Sequence, residues 1–149
     1  ISILMIDIDH FKSVNDNYSH LTGDQCLAVM VQSLQQKVSR PRDIICRYGG
    51  EEFIIVLYDT DLDSAAQRAE RLRHSVSEIA IPIEDSAVDK NTFHITVSLG
   101  VAATIPQPGS NPMDLIAQCD HALYQSKTNG RNQVTIAAGV QSSSGSSNR

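Results

Sequence analysis

Ile44-Ile45-Cys46-Arg47-Tyr48-Gly49-Gly50-Glu51-Glu52-Phe53-Ile54-Ile55-Val56-Leu57 joins two apolar, strand-like runs through two glycines and two acids. A Gly-Gly pair in that setting predicts a hairpin with a type I′ turn, whose two central residues need positive φ, which glycine adopts without steric cost. Gly49 and Gly50 then form the turn, with Glu51 and Glu52 at its tip. Two adjacent like charges do little for folding. A site that holds a divalent cation against phosphate, however, uses such carboxylate density. A solvated turn is the other reading of the same residues.

Working outward, Ile1 to Ile8 is a buried strand, and alternation places Asp7 and Asp9 on one of its faces. Thr22-Gly23-Asp24-Gln25 fits a capping box, and the apolar spacing from Cys26 to Val38 predicts a helix to about Ser39, ended by Pro41. After the hairpin, Leu62 to Ile79 forms a second amphipathic helix, with Pro82 just beyond it. Phe93, Ile95, Val97, Leu99 and Val101 alternate with polar or small residues as a half-buried strand. Asn111-Pro112 supplies an N-cap and a first-turn proline for a helix that Gly130 stops, and Val134 to Ile136 is a last short strand. This order fits an α+β sandwich of the ferredoxin-like kind, the palm architecture of many polymerases and cyclases, with a mostly antiparallel sheet of about five strands.

The 149 residues suit one domain, here expected over 1–136, followed by a disordered Ser-rich tail over 137–149 that has little to bury. The net charge of −5 and the lack of a Lys/Arg cluster exclude a broad footprint for duplex nucleic acid. Three widely spaced cysteines form neither a disulfide framework nor a zinc site, and they suit a reducing, cytoplasmic setting. No apolar run approaches the roughly 20 residues needed to cross a bilayer. The opening inside a strand-like run, without an initiating Met, predicts a piece of something longer.

If the first strand neighbours the hairpin, Asp7 approaches Glu51 and Glu52, and three carboxylates converge. Hard cations such as magnesium take oxygen ligands and stabilise displacement at phosphorus. Asp9 reads as a helix N-cap. Backbone N–H groups around His10 and Phe11, with Lys12 beside them, suit phosphate, and Lys127 and Arg131 flank a helix stop from which two cations reach outward. Cations also favour helix C-termini for purely structural reasons.

Asp7-Ile8-Asp9-His10-Phe11-Lys12, Asn15-Asp16, His20 with Gly23-Asp24, Arg47 to Phe53, Thr96 to Gly100, and Ala122-Leu123-Tyr124 through Lys127 to Asn132 together resemble the GGDEF diguanylate cyclases over Ile1 to about Ile136. Six motifs in the family's order make chance resemblance remote. The resemblance implies that two GTP molecules condense into cyclic di-GMP, each 3′-hydroxyl attacking the other's α-phosphate as pyrophosphate leaves. It also implies magnesium, with manganese as a substitute, and a second copy of the chain. By resemblance, Asp7, the Ile8 carbonyl and Glu51 are metal ligands, and Glu52 is a further catalytic or metal-binding acid. Which glutamate activates the hydroxyl stays open. Asn15 and Asp24 resemble guanine readers, and His10, Phe11, Lys12, Lys127 and Arg131 resemble phosphate contacts.

Arg40-Pro41-Arg42-Asp43 resembles the family's inhibitory RxxD motif, with Arg71 as the partner arginine. Six extended residues from Asp43 to Gly49 span roughly 20 Å, so Arg40 serves a separate site, where bound product would hold the domains in an unproductive arrangement. The alternative for Arg40 and Asp43 is a helix-end ion pair. Ser19 replaces a common glycine of the family, which matters if that position needs positive φ. The family's opening Asp-x-Leu-Thr-Gly-Leu-x-Asn-Arg segment would lie before Ile1, and an upstream sensory or signalling domain is expected. The competing function is a module that binds GTP or cyclic di-GMP without turnover and regulates a neighbouring domain. An adenylyl cyclase or polymerase palm shares the metal chemistry, but Asn15 and Asp24 favour guanine.

Overall fold

In the computed structural model, which describes residues 1–83 and 92–138, the elements are β1 (Ser2–Ile8), α1 (Phe11–Asn17), α2 (His20–Lys37), β2 (Ile44–Gly49), β3 (Glu52–Leu57), α3 (Leu62–Ser77), β4 (Ile81–Pro82), β5 (Thr92–Phe93), β6 (Val97–Ala103), α4 (Pro112–Thr128) and β7 (Val134–Ile136). Five strands form one sheet in the order β2-β3-β1-β6-β7, and β4 pairs with β5 apart from it. β1 runs antiparallel to both β3 and β6, whereas β6 and β7 are parallel. A parallel pair needs a crossover, and α4 supplies it. The fold is the expected α+β palm.

All seven residues of β1 are buried because helices cover both faces of the sheet. Leu4, Ile6 and Ile8 join Phe53, Ile55, Leu99 and the inner sides of α2 and α3, while Ile3 and Met5 join Ile54, Leu115, Cys119 and Leu123 under α4. The period of two therefore sends Asp7 to the α4 face. α4 itself lies very close to the sheet. A Cβ on Gly100 would stand 2.2 Å from the Cys119 carbonyl oxygen and 2.4 Å from the Leu123 nitrogen, so only glycine permits this approach. Ser126 fixes the helix lengthwise by donating its hydroxyl to the Leu99 carbonyl at 2.7 Å.

Several local expectations are corrected. α2 starts at His20 rather than after Thr22, because Ser19 is the N-cap and accepts from the Thr22 amide at 3.1 Å. Ser19 has φ −178°, an extended backbone any residue adopts, so its replacement of glycine carries no strain. A helix does follow β1, but Asp9 does not cap it. The capping position is His10, in the left-handed region at φ 55°, with no side-chain cap. The strand expected over 93–101 is broken: Phe93 pairs with Ile81, and β6 starts at Val97.

The hairpin also differs. Gly49 pairs with Glu52, so the turn residues are Gly50 and Glu51, and neither glycine has positive φ. An extra residue at Tyr48 shifts the register between Arg47 and Gly49 and supplies the twist that a type I′ turn would otherwise give. Arg47 pins the turn through two bonds to the Gly50 carbonyl, at 2.9 and 2.7 Å. α4 fits its expected punctuation, with Asn111 accepting from the Met113 amide, Pro112 in the first turn and Gly130 at φ 113° after the end. Of the expected tail, 139–149 lies outside the described residues. Among the described residues no helix is long and apolar enough to cross a membrane.

Two substitutions test this packing by urea denaturation. Gly100→Ala should lower stability by about 3 kcal/mol, since it pushes a methyl group against helix backbone that cannot move alone. Ser19→Ala should lower it by about 1 kcal/mol through the lost cap.

Candidate active site at the end of the central strand

β1 and β3 bring Asp7 directly opposite Glu52, and β6 places Ser98 on the other side of Asp7. Asp7 is only 4% exposed, and its Oδ2 accepts from Lys127 Nζ of α4 at 2.8 Å. Burial raises the Asp7 pKa above the ordinary carboxylate range. The Lys127 bond and charge oppose that shift, while Glu51 and Asp9 add to it. The Glu52 pKa is likewise raised, first by burial and then by Asp7. Two carboxylates thus face each other across neighbouring strands, with one lysine to offset them. Like charges directly opposite are destabilising.

Glu51 lies in the turn, and its carbonyl accepts from the Ile8 amide at 3.4 Å. The expected three-carboxylate convergence is incomplete. Among the described residues, no group of three or more His, Cys, Asp or Glu side chains is arranged as a metal-binding cluster, and Asp7 is turned to Lys127. The donor chemistry nevertheless suits a hard divalent cation. Asp7 and Glu52 carry anionic oxygens whose charged forms their surroundings disfavour, and a cation beside them would remove that penalty.

Two clefts flank the hairpin. On the α4 side, a cleft of about 320 Å³ is lined by Glu52, Tyr124, Lys127 and Arg131. On the α2 side, a second of about 430 Å³ is lined by Asp24, Leu27, Arg47 and Phe53. Asn15 stands close by: a Cβ on Gly23 would come within 2.0 Å of its Oδ1, so that glycine makes room for the amide next to Asp24. Between the clefts the glycines leave clear space, with nothing within 4 Å of the Cβ position at Gly50 and only Glu52 Oε2, at 3.6 Å, near that of Gly49. His10, Phe11 and Lys12 sit where β1 turns into α1, with Lys12 exposed.

Asp9 is a structural hub that the sequence did not reveal. Buried, it accepts from Thr96 Oγ1 at 2.7 Å, Ser98 Oγ at 2.6 Å and the Asn132 amide at 3.0 Å. It thereby ties the end of β1 to the Arg131–Asn132 loop, where both residues have positive φ. Arg73 of α3 holds the same loop, donating to Asn132 Oδ1 at 2.6 Å.

Arg40 and Asp43 line a separate depression of about 330 Å³ with Arg42 and Tyr58. The Asp43 amide donates to the Arg40 carbonyl at 3.0 Å, but their side chains do not pair with each other. Arg40 reaches Thr60 Oγ1 at 3.5 Å, and Asp43 binds Arg68 at 2.7 Å. Arg71 lines a neighbouring cavity with Lys37 and Arg68. Sequence reading missed Arg68, although it lies three residues before Arg71, a spacing that shares a helix face.

The raised acids give a stability prediction. A native carboxyl with a raised pKa keeps its proton where the unfolded chain has lost it, so stability falls as pH climbs from the ordinary carboxylate range through the native value. Glu52→Gln should therefore be more stable than the parent at about pH 8, by roughly 0.2–1 kcal/mol, the scale of a cross-strand like-charge pair. The gain should vanish below the ordinary carboxylate range, as urea melts across pH would show.

The sequence model of the family "Diguanylate cyclase, GGDEF domain" matches residues 1–133. Diguanylate cyclase A of Treponema denticola is 41% identical over 137 residues, 92% of this chain and 35% of that protein. The solved active GGEEF domain of a diguanylate cyclase from Vibrio cholerae superposes with a TM-score of 0.80 at 34% identity, covering 93% of this chain and 83% of that one. The GGDEF domain of DgcB from Caulobacter crescentus, solved in complex with cyclic di-GMP, gives 0.81 at 34% identity, covering 91% and 77%. The chain spans about a third of the length of the curated relatives it matches. Its match to the family model over nearly its whole described length, on the fold and site geometry above, makes the chain a member of the diguanylate cyclase GGDEF-domain family.

Proposed function

We propose that residues 1–136 form a diguanylate cyclase domain that condenses two GTP molecules into cyclic di-GMP across a homodimer. The observation that carries this reading is the Asp7–Glu52 carboxylate pair beside Lys127, at an open Gly49-Gly50 edge with a cleft on either side. GTP would straddle that edge. Asn15 and Asp24 offer an amide and a carboxylate to the donor and acceptor edge of guanine on the α2 side. Lys127 and Arg131 offer counter-charge to the phosphates on the α4 side, with Lys12 and the backbone at His10 and Phe11 closing the other end.

Asp7, the Ile8 carbonyl, Glu51 and Glu52 are the oxygens that would hold magnesium or manganese. When bound, the ion supplies charge stabilisation at the reacting phosphate. In each half-reaction a 3′-oxygen forms a bond to the α-phosphorus of the opposing GTP and pyrophosphate leaves, the hydroxyl proton passing to Glu51 or Glu52. One chain holds one GTP, so the site is complete only when a second copy faces it. Arg40, Asp43 and Arg71 would form the product-inhibition site, and an upstream sensory domain would control the encounter of the two copies.

Incubation of the chain, within its full-length protein, with GTP and magnesium should yield cyclic di-GMP by chromatography, with activity per chain rising with protein concentration. Asp7→Asn should lower kcat by about 10³-fold, the scale of removing one electrostatic contact to a developing charge. Magnesium should raise the melting temperature of the parent and not of Asp7→Asn. Absence of product from a dimeric full-length protein that binds GTP would favour the non-catalytic regulatory module instead.

A further inference from the structure

The carboxylate of the Arg40–Asp43 depression is taken by one of the chain's own side chains. The Asp43 side chain is 1% exposed. Its Oδ2 accepts from Arg68 Nη2 at 2.7 Å and its Oδ1 from the Tyr58 amide at 3.3 Å. Both oxygens are engaged, and neither presents a free edge to solvent. A guanine base and an arginine offer a carboxylate the same chemistry, a pair of N–H donors held in one plane. They therefore compete for Asp43 rather than bind it together.

Arg68 is only half used in this position. Its Nη1 is buried and has no hydrogen-bond partner among the described residues. Arg68 also lines the cavity of about 230 Å³ that holds Lys37 and Arg71. Its guanidinium thus bonds Asp43, which lines the depression with Arg40, while Arg68 itself lines the other cavity with two further cations. We propose that Arg68 is an internal competitor for Asp43, a latch that sets the affinity of this second site for a guanine-bearing cyclic dinucleotide. This rests on the reading of Arg40 and Asp43 as a product site.

With the latch closed, a buried carboxylate and a guanidinium neutralise each other. For guanine to enter, the Arg68 bond must break, and the base must take over the desolvated carboxylate, which would otherwise be left uncompensated. The displaced guanidinium has a place to go. Nη1 lacks a partner, and the Lys37–Arg71 cavity beside it gathers positive charge that suits the phosphodiesters of the same ligand. Binding is then an exchange of partners at Asp43, weaker than simple addition to a vacant carboxylate.

Calorimetric titration of cyclic di-GMP into the full-length protein tests this with Arg68→Met, which keeps the apolar stem, and with Arg68→Gln, a second neutral variant should the first not fold. Each folded variant should bind at least tenfold more tightly than the parent, equivalent to 1.4 kcal/mol, and be inhibited by correspondingly less product. Thermal melts should show both variants less stable. A merely structural Arg68 would reproduce the lower melting temperature without the tighter binding, and unchanged or weaker affinity overturns the latch. Arg40→Ala separates this failure from that of the underlying reading. Binding that disappears in Arg40→Ala while the Arg68 variants match the parent removes the latch alone. Binding that survives Arg40→Ala overturns the product-site reading, and the latch with it.

Discussion

β1 is hydrogen-bonded along both edges and packed on both faces, and that double constraint holds the acids of the candidate site in position. Its pairing with β3 fixes Glu52 opposite Asp7, and its pairing with β6 fixes Ser98 on the other flank. A slip of one residue in either register would turn Asp7 from the α4 face into the apolar cluster on the α2 and α3 side. The apolar residues Ile3, Leu4, Met5, Ile6 and Ile8 forbid that slip, because each is seated in one of two cores. The hydrophobic pattern of a strand thus sets the address of a carboxylate.

The site at the end of that strand is electrostatically unfavourable as it stands. Asp7 and Glu52 are both disfavoured as anions by burial, Asp7 further by the charges of Glu51 and Asp9 and Glu52 by that of Asp7, and Lys127 only partly offsets this. Gly100 matters here although it touches no ligand. By letting α4 lie against β6 it brings Lys127, one turn beyond Leu123, over Asp7. A sheet end built for stability alone would carry an apolar or neutral pair at these positions, and the departure from that choice is what marks function.

What the sequence disclosed was what is encoded within a few residues. Asn111, Pro112 and Gly130 delimit α4 because caps and stops act over one turn, and β1 was visible because its burial makes an unbroken apolar run. The extent of α1 was not legible because seven residues with only Val14 buried carry no period to read. The turn was misassigned because the extra residue at Tyr48 is a matter of pairing, which local composition does not record. Asp9 looked like a cap because its real partners, Thr96 and Asn132, lie 87 and 123 residues away. Asp43 and Arg68 are separated by 25 residues, and only the folded chain sets them side by side. In the site, the acids and cations were legible as residue types; the Asp7–Lys127 pairing and the role of Gly23 beneath Asn15 were not, since the first depends on how α4 lies on the sheet and the second on how α1 approaches α2.

α3 has a position that neither site explains alone. It carries Arg68, bound to Asp43 at the second site, and Arg73, bound to Asn132 at the edge of the first. Five residues separate them, about 7.5 Å of helix. Asn132 in turn donates to Asp9, which also holds Thr96 and Ser98. Spatial continuity of this kind is not coupling in itself, since coupling requires an element with two arrangements that both sites bias. It does establish what holds the Arg131 loop. Two consecutive residues there lie in the left-handed region, a conformation that L-residues adopt at a cost of about 1–2 kcal/mol each. Asp9 and Arg73 supply the bonds that keep them there. Arg131, which lines the cleft on the α4 side, is therefore held in place by one acid at the end of β1 and one arginine on α3, and a charge change at either would loosen the loop before it disturbed the sheet.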